Sequence, residues 1–179
     1  MASYNMVFAG FGGQGVLFTG KVVAYAGLID GKEVSWLPSY GPEMRGGTAN
    51  CSVCISDAPV GSPLVTEPDV LIAMNGPSLK KFEPHVEEGG LILVNSSQAL
   101  EKVHRTDVRA FYVPSMEEAG KLGNFKVANM VMLGAYIAAT GALKMETLEQ
   151  MLSRIFTGSK APLVALNIQA LQAGAPHIK

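Results

Sequence analysis

The sequence is short of charged residues, and this shortage restricts what the protein can be. Asp, Glu, Lys and Arg make up 16% of the 179 residues, whereas an ordinary soluble domain has about 25%. The formal net charge is −1, so no basic surface for nucleic acid or anionic lipid is expected. Because 48% of the residues are nevertheless hydrophobic, we expect another protein chain to cover part of the surface.

Cysteine is scarce as well. Cys51 and Cys54 form a CxxC string inside a stretch that predicts a strand. Side chains three positions apart on a strand point to opposite faces, so this pair is badly placed to share a metal or to close a disulfide. No second pair completes a four-ligand metal site or an iron–sulfur set. We therefore expect reduced, structural cysteines and a cytoplasmic protein.

Patterns typical of catalytic centres and of membrane segments are also missing. The sequence has no GxSxG elbow, no P-loop lysine followed by serine or threonine, and no HExxH, and we expect His85, His104 and His177 to be ordinary surface residues. No catalytic residue is predicted in this chain.

The N-terminus lacks the basic segment of a signal peptide. The uncharged stretch of residues 127–143 is short of the ~20 apolar residues that span a membrane and predicts a buried helix.

Strand-like and helix-like patterns alternate along the chain. Strands are predicted at residues 4–9, 33–37, 48–57, 69–74, 90–94 and 108–113. Helices are predicted at residues 15–29, 78–86, 116–121, 127–139, 145–156 and 161–173. This order predicts an α/β fold with three layers, α/β/α, in which a mainly parallel, Rossmann-like sheet is followed by C-terminal helices. No linker or repeat divides residues 1–179, so we expect a single domain.

Three residues mark predicted ends of these elements. Pro38 is expected to end the second strand because it has no N–H to donate. Ser115 is expected to cap the third helix. Gly174 is expected to lie just past the last helix, where glycine is common.

A glycine-rich turn joins the first strand to the first helix. Gly10, Gly12 and Gly15 satisfy the GxGxxG pattern, in which glycines let a ligand approach the backbone and the helix N-terminus attracts an anion. The turn can bind a dinucleotide or another phosphate-bearing ligand, or it can pack closely on a partner chain. A dinucleotide site also needs an acidic residue at the end of the second strand. Glu33 stands at the beginning of that strand instead, so NAD is disfavoured.

A second glycine-rich loop, residues 39–47, follows the second strand. In a parallel sheet it lies at the same edge as the glycine turn, where α/β proteins bind ligands. The loop carries Tyr40, Glu43 and Arg45. A guanidinium suits a phosphate or a carboxylate, and Glu43 and Arg45 can also pair with each other or with another chain. A solvated turn with a surface ion pair is the plainer alternative.

These two motifs together resemble one protein family. Residues 10–16, GFGGQGV, followed by residues 39–51, SYGPEMRGGTANC, are similar to the gamma subunit of 2-oxoacid:ferredoxin oxidoreductases. The resemblance covers essentially the whole chain. The SYGPExRGG form looks more like the 2-oxoglutarate and branched-chain 2-oxoacid enzymes than the pyruvate enzymes. We expect 2-oxoglutarate as the substrate, with a 2-oxoisovalerate or pyruvate enzyme as the alternative.

The resemblance implies an oxidative decarboxylation that yields acyl-CoA, CO2 and reduced ferredoxin. It places thiamine diphosphate and the iron–sulfur clusters in partner subunits, namely alpha, beta and delta, with ferredoxin reached through the complex. In this chain we expect the two loops to help bind coenzyme A. The candidate residues are Gly10, Gly12, Gly13, Gln14, Gly15, Tyr40, Glu43 and Arg45. A purely architectural role for both loops is one alternative, and a stand-alone nucleotide-binding protein is another.

Overall fold

The computed structural model describes residues 2–40 and 47–179. These residues form one six-stranded sheet. The strands are β1 (Ser3–Phe11), β2 (Glu33–Tyr40), β3 (Thr48–Ser56), β4 (Val70–Ala73), β5 (Leu91–Asn95) and β6 (Arg109–Val113). Every residue of β4 and β5 is buried, as expected of strands covered on both faces.

The strand order is β2-β3-β1-β4-β5-β6. β1, β4, β5 and β6 pair in parallel, whereas β3 is antiparallel to both β1 and β2. Because β3 is reversed against both neighbours, β2 runs in the same direction as β1. The α/β fold with a mainly parallel sheet is therefore confirmed.

The prediction that Pro38 ends the second strand is wrong. β2 continues to Tyr40, and Pro38 is paired with Cys51 of β3. β2 is an edge strand, so one of its sides has no ladder partner among the described strands. A residue without an N–H is tolerated on such a strand.

Six α-helices surround the sheet. They are α1 (Val16–Ile29), α2 (Gly76–Phe82), α3 (Ser115–Lys121), α4 (Ala128–Thr140), α5 (Met145–Ile155) and α6 (Pro162–Gly174). The predicted helix at residues 78–86 begins two residues earlier, and Glu83–His85 continues it as a 3-10 turn. Ser115 is the first residue of α3, and Pro114 takes the capping position.

Gly174 belongs to α6, although the sequence pattern places it just past that helix. A Cβ atom at Gly174 would fall on the carbonyl oxygen of Val131 in α4, and one at Gly134 would fall on the carbonyl oxygen of Leu171 in α6. Both glycines therefore allow the two helix backbones to touch. Close packing, and not helix termination, explains glycine at position 174.

The two faces of the sheet are covered unequally. Side chains from α1, α3, α4, α5 and α6 form the larger core on one face. On the other face a smaller core is closed by α2 and by irregular segments that contribute Val65, Ala99 and Val103. α4 is buried from Ala128 to Ile137, as its uncharged sequence predicts. Among the described helices, none has both the length and the apolar character needed to cross a bilayer.

Candidate functional site

The glycine turn and the end of β2 lie at the same edge of the sheet. Phe11, which ends β1, pairs with Thr48, and Tyr40, which ends β2, pairs with Ala49. The N–H of Gly12 donates to the carbonyl oxygen of Gly47 over 2.9 Å. Both ends of the 39–47 loop therefore lie at the edge that carries the glycine turn, as expected. Glu43 and Arg45 lie outside the described residues.

Glycine is required in the turn for two different reasons. Gly13 and Gly15 have φ angles of 93° and 75°. Residues with a side chain are strained at such positive φ angles, whereas glycine is not. Gly10 has an ordinary backbone but no room, because a Cβ there would be 2.6 Å from the Gln14 side-chain oxygen and 2.9 Å from Met74 Cβ. These constraints fix the backbone immediately before α1.

Asn129, from α4, holds the other side of the turn. Its Nδ2 donates to Thr19 Oγ1 over 3.1 Å and to the carbonyl oxygen of Gly15 over 3.4 Å. A Cβ at Gly15 would lie 2.5 Å from that nitrogen. The C-terminal half of the chain therefore supports the first turn of α1.

Gln14 directs its side chain into the protein. Its Oε1 accepts the N–H of Phe11 over 2.6 Å and Nδ2 of Asn75 over 3.0 Å. Its Nε2 donates to the carbonyl oxygen of Met74 over 3.2 Å and to the side-chain oxygen of Gln98. A glutamine amide has two acceptor and two donor positions, and all four are used here. Gln14 therefore braces the turn through groups from several elements.

Hydrogen bonds continue from this brace across the sheet edge. Asn95, which is completely buried, donates through Nδ2 to the carbonyl oxygen of Met74 over 3.1 Å. Its Oδ1 accepts the hydroxyl of Ser115 over 2.8 Å and the N–H of Ser97 over 3.2 Å. The hydroxyl of Ser97 then donates to the Glu117 carboxylate. The glycine turn and α3 are thus joined through one polar network.

A cavity of about 310 Å³ opens beside the turn. It is lined by Phe11, Gly12, Gly13, Gly15, Val16, Leu17, Phe18 and Ala49. This lining combines apolar side chains with glycine backbone and includes no charged side chain. A charge that neutralises a bound anion must therefore come from outside these residues.

This fold and these loops match a single family. The model for the pyruvate ferredoxin/flavodoxin oxidoreductase family matches residues 5–176. The chain belongs to this family. The resemblance to gamma subunits of 2-oxoacid:ferredoxin oxidoreductases, seen in the two loop motifs, is confirmed.

Individual relatives support the assignment. The ketoisovalerate oxidoreductase subunit VorA of Methanothermobacter thermautotrophicus is 46% identical over 169 residues, which cover 93% of this chain but only 35% of VorA. The 2-oxoglutarate synthase subunit KorC of Methanothermobacter marburgensis is 36% identical over 174 residues, which cover 93% of this chain and 91% of KorC. A crystal structure of a keto/oxoacid ferredoxin oxidoreductase gamma subunit from Geobacter sulfurreducens PCA has a TM-score of 0.85 and 34% identity. The match covers 99% of this chain and 97% of that subunit. The chain thus spans about a third of the length of VorA.

The sheet order argues independently against the NAD site of Rossmann enzymes. In those enzymes the strand that carries the ribose-binding acid lies beside β1. In this family member β3 separates β2 from β1. Glu33 pairs with Ser56 at the opposite edge of the sheet. A carboxylate from the start of β2 therefore cannot reach a ribose bound at the turn.

Several residues of this edge were missed by sequence reasoning. Asn75 lies two residues after β4, and Asn95 ends β5. A polar residue at the end of a buried apolar run is a usable signal for an edge site. Gln98 lies in a loop, and Asn129 is 114 positions from Gly15, so neither carries a local signal. Gln14 is the one amide side chain among the predicted candidates, and the other amides of this edge were missed.

The hydrogen bonds of this edge network involve neither cysteine and none of the three histidines. Cys51 and Cys54 are buried free thiols, and burial raises the pKa of Cys51 to about 12. His85 and His104 are exposed as predicted. His177 is half-buried and lies 3.3 Å from a Glu118 oxygen, so its prediction as a plain surface residue is wrong. Within residues 2–40 and 47–179, no three His, Cys, Asp or Glu side chains are grouped to hold a metal.

Proposed function

We propose that the chain acts as the gamma subunit of a thiamine diphosphate-dependent 2-oxoacid:ferredoxin oxidoreductase. The assembled enzyme converts a 2-oxoacid, coenzyme A and oxidised ferredoxin into acyl-CoA, CO2 and reduced ferredoxin. The observation that carries this proposal is that the glycine turn and both ends of the 39–47 loop lie at one sheet edge, in a fold shared with a gamma subunit over 99% of the chain.

We assign thiamine diphosphate and the iron–sulfur clusters to alpha, beta and delta subunits. The two thiols of this chain do not fit a cluster. Cys51 packs against α1 beside Gly20, whereas Cys54 Sγ lies 3.8 Å from the carbonyl oxygen of Ser62. The chain therefore contributes binding surface and support to the enzyme, and the redox chemistry belongs to its partners.

We further propose that the edge carrying the glycine turn helps bind coenzyme A. Gly10, Gly12, Gly13 and Gly15 shape a backbone cradle, and the N-terminus of α1 favours a phosphate. Gln14 acts by holding this cradle in shape. Arg45, with Tyr40 and Glu43 nearby in the sequence, is proposed to supply the charge that the cavity lining lacks.

Substitution of Arg45 by Ala in the assembled enzyme tests this role. Loss of a charge-assisted phosphate contact, worth about 1.5–3 kcal/mol, should raise the KM for coenzyme A at least tenfold while the KM for the 2-oxoacid stays the same. Arg109→Ala is a matched control, because Arg109 is exposed at the start of β6. An unchanged KM for coenzyme A excludes Arg45 from binding. Loss of assembly with an unchanged KM in the remaining complex supports the architectural alternative.

Two substrate classes remain candidates for the assembled enzyme. The 46% identity to a ketoisovalerate subunit, against 36% to a 2-oxoglutarate subunit, supports a branched-chain 2-oxoacid. The loop motif fits both classes, and 2-oxoglutarate is the substrate expected from the sequence. Comparison of kcat/KM for 2-oxoisovalerate, 2-oxoglutarate and pyruvate in the assembled enzyme decides between them.

Calorimetry separates this proposal from a stand-alone nucleotide-binding protein. The isolated chain should show no tight binding of NAD or NADP, because the strand beside β1 brings no ribose-binding acid. Tight NAD binding would contradict the assignment as a gamma subunit.

A further inference from the structure

An apolar strip runs along the outer face of α1 and across to α5. We call it the α1 strip. It consists of Leu17, Phe18, Lys21, Tyr25, Leu28 and Ile29 of α1, with Met151 and Ile155 of α5. Tyr25, Leu28 and Ile29 are 46%, 54% and 37% exposed. Large side chains this exposed, grouped on one helix, are typical of a protein-binding surface.

The strip contains a preformed cleft. A cavity of about 280 Å³ between α1 and α5 is lined by Phe18, Lys21, Val22, Tyr25, Met151 and Ile155. Phe18 is held in place by the ring of Phe156, with ring centroids 6.1 Å apart. An apolar side chain from another molecule can enter this cleft without rearrangement of the two helices.

The charge on the strip narrows the choice of occupant. Lys21 lies near the middle of the strip, and its ammonium group is 5.7 Å from the centre of the Tyr25 ring. No carboxylate in the described part of the chain forms an ion pair with it. Pairing of two copies about a two-fold axis through the middle of the strip would bring two Lys21 side chains together, and their like charges would repel. A different chain can instead present a carboxylate.

The relatives indicate which chain this is. The same unit makes up 35% of VorA but 91% of KorC. It therefore occurs both within a longer polypeptide and as a nearly separate chain. In the separate form, contacts to the rest of the enzyme have to be made between chains.

We propose that the α1 strip binds the larger partner chain of the oxidoreductase, the counterpart of the part of VorA outside the matched region. That partner inserts apolar side chains between α1 and α5 and places a carboxylate against Lys21. This inference rests on the proposed function, since it requires the chain to be a subunit. The strip begins at Leu17, beside the glycine turn, so the docked partner also borders the candidate site.

The test uses co-expression of the chain with the other subunits of the same enzyme and native mass spectrometry of the complex. Tyr25→Glu combined with Leu28→Glu should weaken assembly at least tenfold, because central aromatic and aliphatic contacts dominate such interfaces. Lys21→Glu should weaken it as well. The control is Leu64→Glu combined with Leu100→Glu, since these residues are 59% and 90% exposed outside the strip. Thermal melting of each isolated variant establishes that it is folded.

The outcomes separate the two proposals. If the unsubstituted chain fails to assemble with the other subunits, the assignment as a gamma subunit is wrong, and this inference falls with it. If the unsubstituted and strip-substituted chains assemble equally, the assignment stands and the strip is not the interface. If the isolated chain dimerises in light scattering and the strip substitutions abolish the dimer, a second copy is the occupant and the inference is overturned.

Discussion

Gly15 is restricted both by its own backbone and by a neighbouring helix. Its φ of 75° is accessible mainly to glycine, and Asn129 of α4 occupies the space that a side chain would need. Gly13 has a φ of 93° but no atom within 4 Å of a Cβ position. A side chain at position 13 would therefore meet backbone strain alone, whereas a side chain at position 15 would meet both backbone strain and a steric clash.

Substitution of each glycine by Ala measures the two effects. Gly13→Ala should lower the free energy of unfolding by about 1–2 kcal/mol, from backbone strain alone. Gly15→Ala should lower it by about 2–4 kcal/mol, because the methyl group also displaces the Asn129 amide from Thr19. Urea denaturation of both variants provides the measurement. Equal losses would mean that the contact with Asn129 does not stabilise the turn.

Asp69, at the end of the sheet opposite the glycine turn, should make the stability of the fold depend on pH. Burial raises the pKa of its carboxyl group to about 6, although the N–H of Asn5 donates to both of its oxygens, and Glu87 adds repulsion. The ordinary value is 3.8. Between these two pH values the folded protein holds a proton that the unfolded chain releases. This carboxyl group therefore stabilises the fold as the pH falls from about 6 towards 4.

Asp69→Asn should remove this dependence. After allowance for solvent screening of a partly exposed group, the unsubstituted protein should gain about 1 kcal/mol relative to the variant between pH 7 and pH 4.5. Urea denaturation at both pH values gives the difference. Asp57→Asn is the control, because Lys32 and the N–H of Ala2 lower the pKa of Asp57, so its contribution is lost only at lower pH. If the difference in the free energy of unfolding between the unsubstituted protein and Asp69→Asn is the same at both pH values, the raised pKa of Asp69 is contradicted.

At the scale of elements, α4 and α6 approach so closely that their backbones meet at Gly134 and Gly174. Any side chain at either position must push the helices apart. The interface covers the larger core, where Met130, Leu133 and Leu171 are completely buried. The pair of helices therefore has little freedom to adjust by moving side chains.

Gly134→Ala should be strongly destabilising although Ala favours helices over Gly. The gain in helix propensity is about 1 kcal/mol, whereas overpacking against a backbone carbonyl should cost about 3 kcal/mol or more. Gly120→Ala in α3 is the matched control, because its methyl group would meet the ring of Phe125, which is 61% exposed and free to move. Thermal or urea unfolding should show a large loss for position 134 and almost none for position 120. Similar effects would contradict a backbone-to-backbone contact.

At the scale of the whole molecule, the sheet separates two unequal layers, and the candidate site at its edge lies beside an exposed apolar face of α1. α1 begins at the glycine turn, contributes to the larger core and still exposes Tyr25 and Leu28. This arrangement fits a subunit, because 16% charged residues is below the roughly 25% of an ordinary soluble domain and leaves more apolar surface for a partner chain. The proposed partner interface and the proposed coenzyme A site therefore lie on adjacent parts of one element.

The sequence by itself determined the six strands, the helices and the glycine turn, because buried runs, helical spacing and positive-φ glycines are local properties. It also indicated that both loops meet at one edge. It could not indicate that β3 is reversed, or that β3 lies between β1 and β2, since strand order depends on pairing between distant segments.

Only the tertiary structure decided the roles of the amide side chains. Gln14 was predicted to face a ligand, but Met74, Asn75 and Gln98 take up its hydrogen bonds alongside Phe11. Asn129 reaches Gly15 from a helix far along the chain. A side-chain amide can donate and accept in many surroundings, so its sequence neighbours do not reveal its partners. The fold chooses them by bringing distant polar groups within hydrogen-bonding distance.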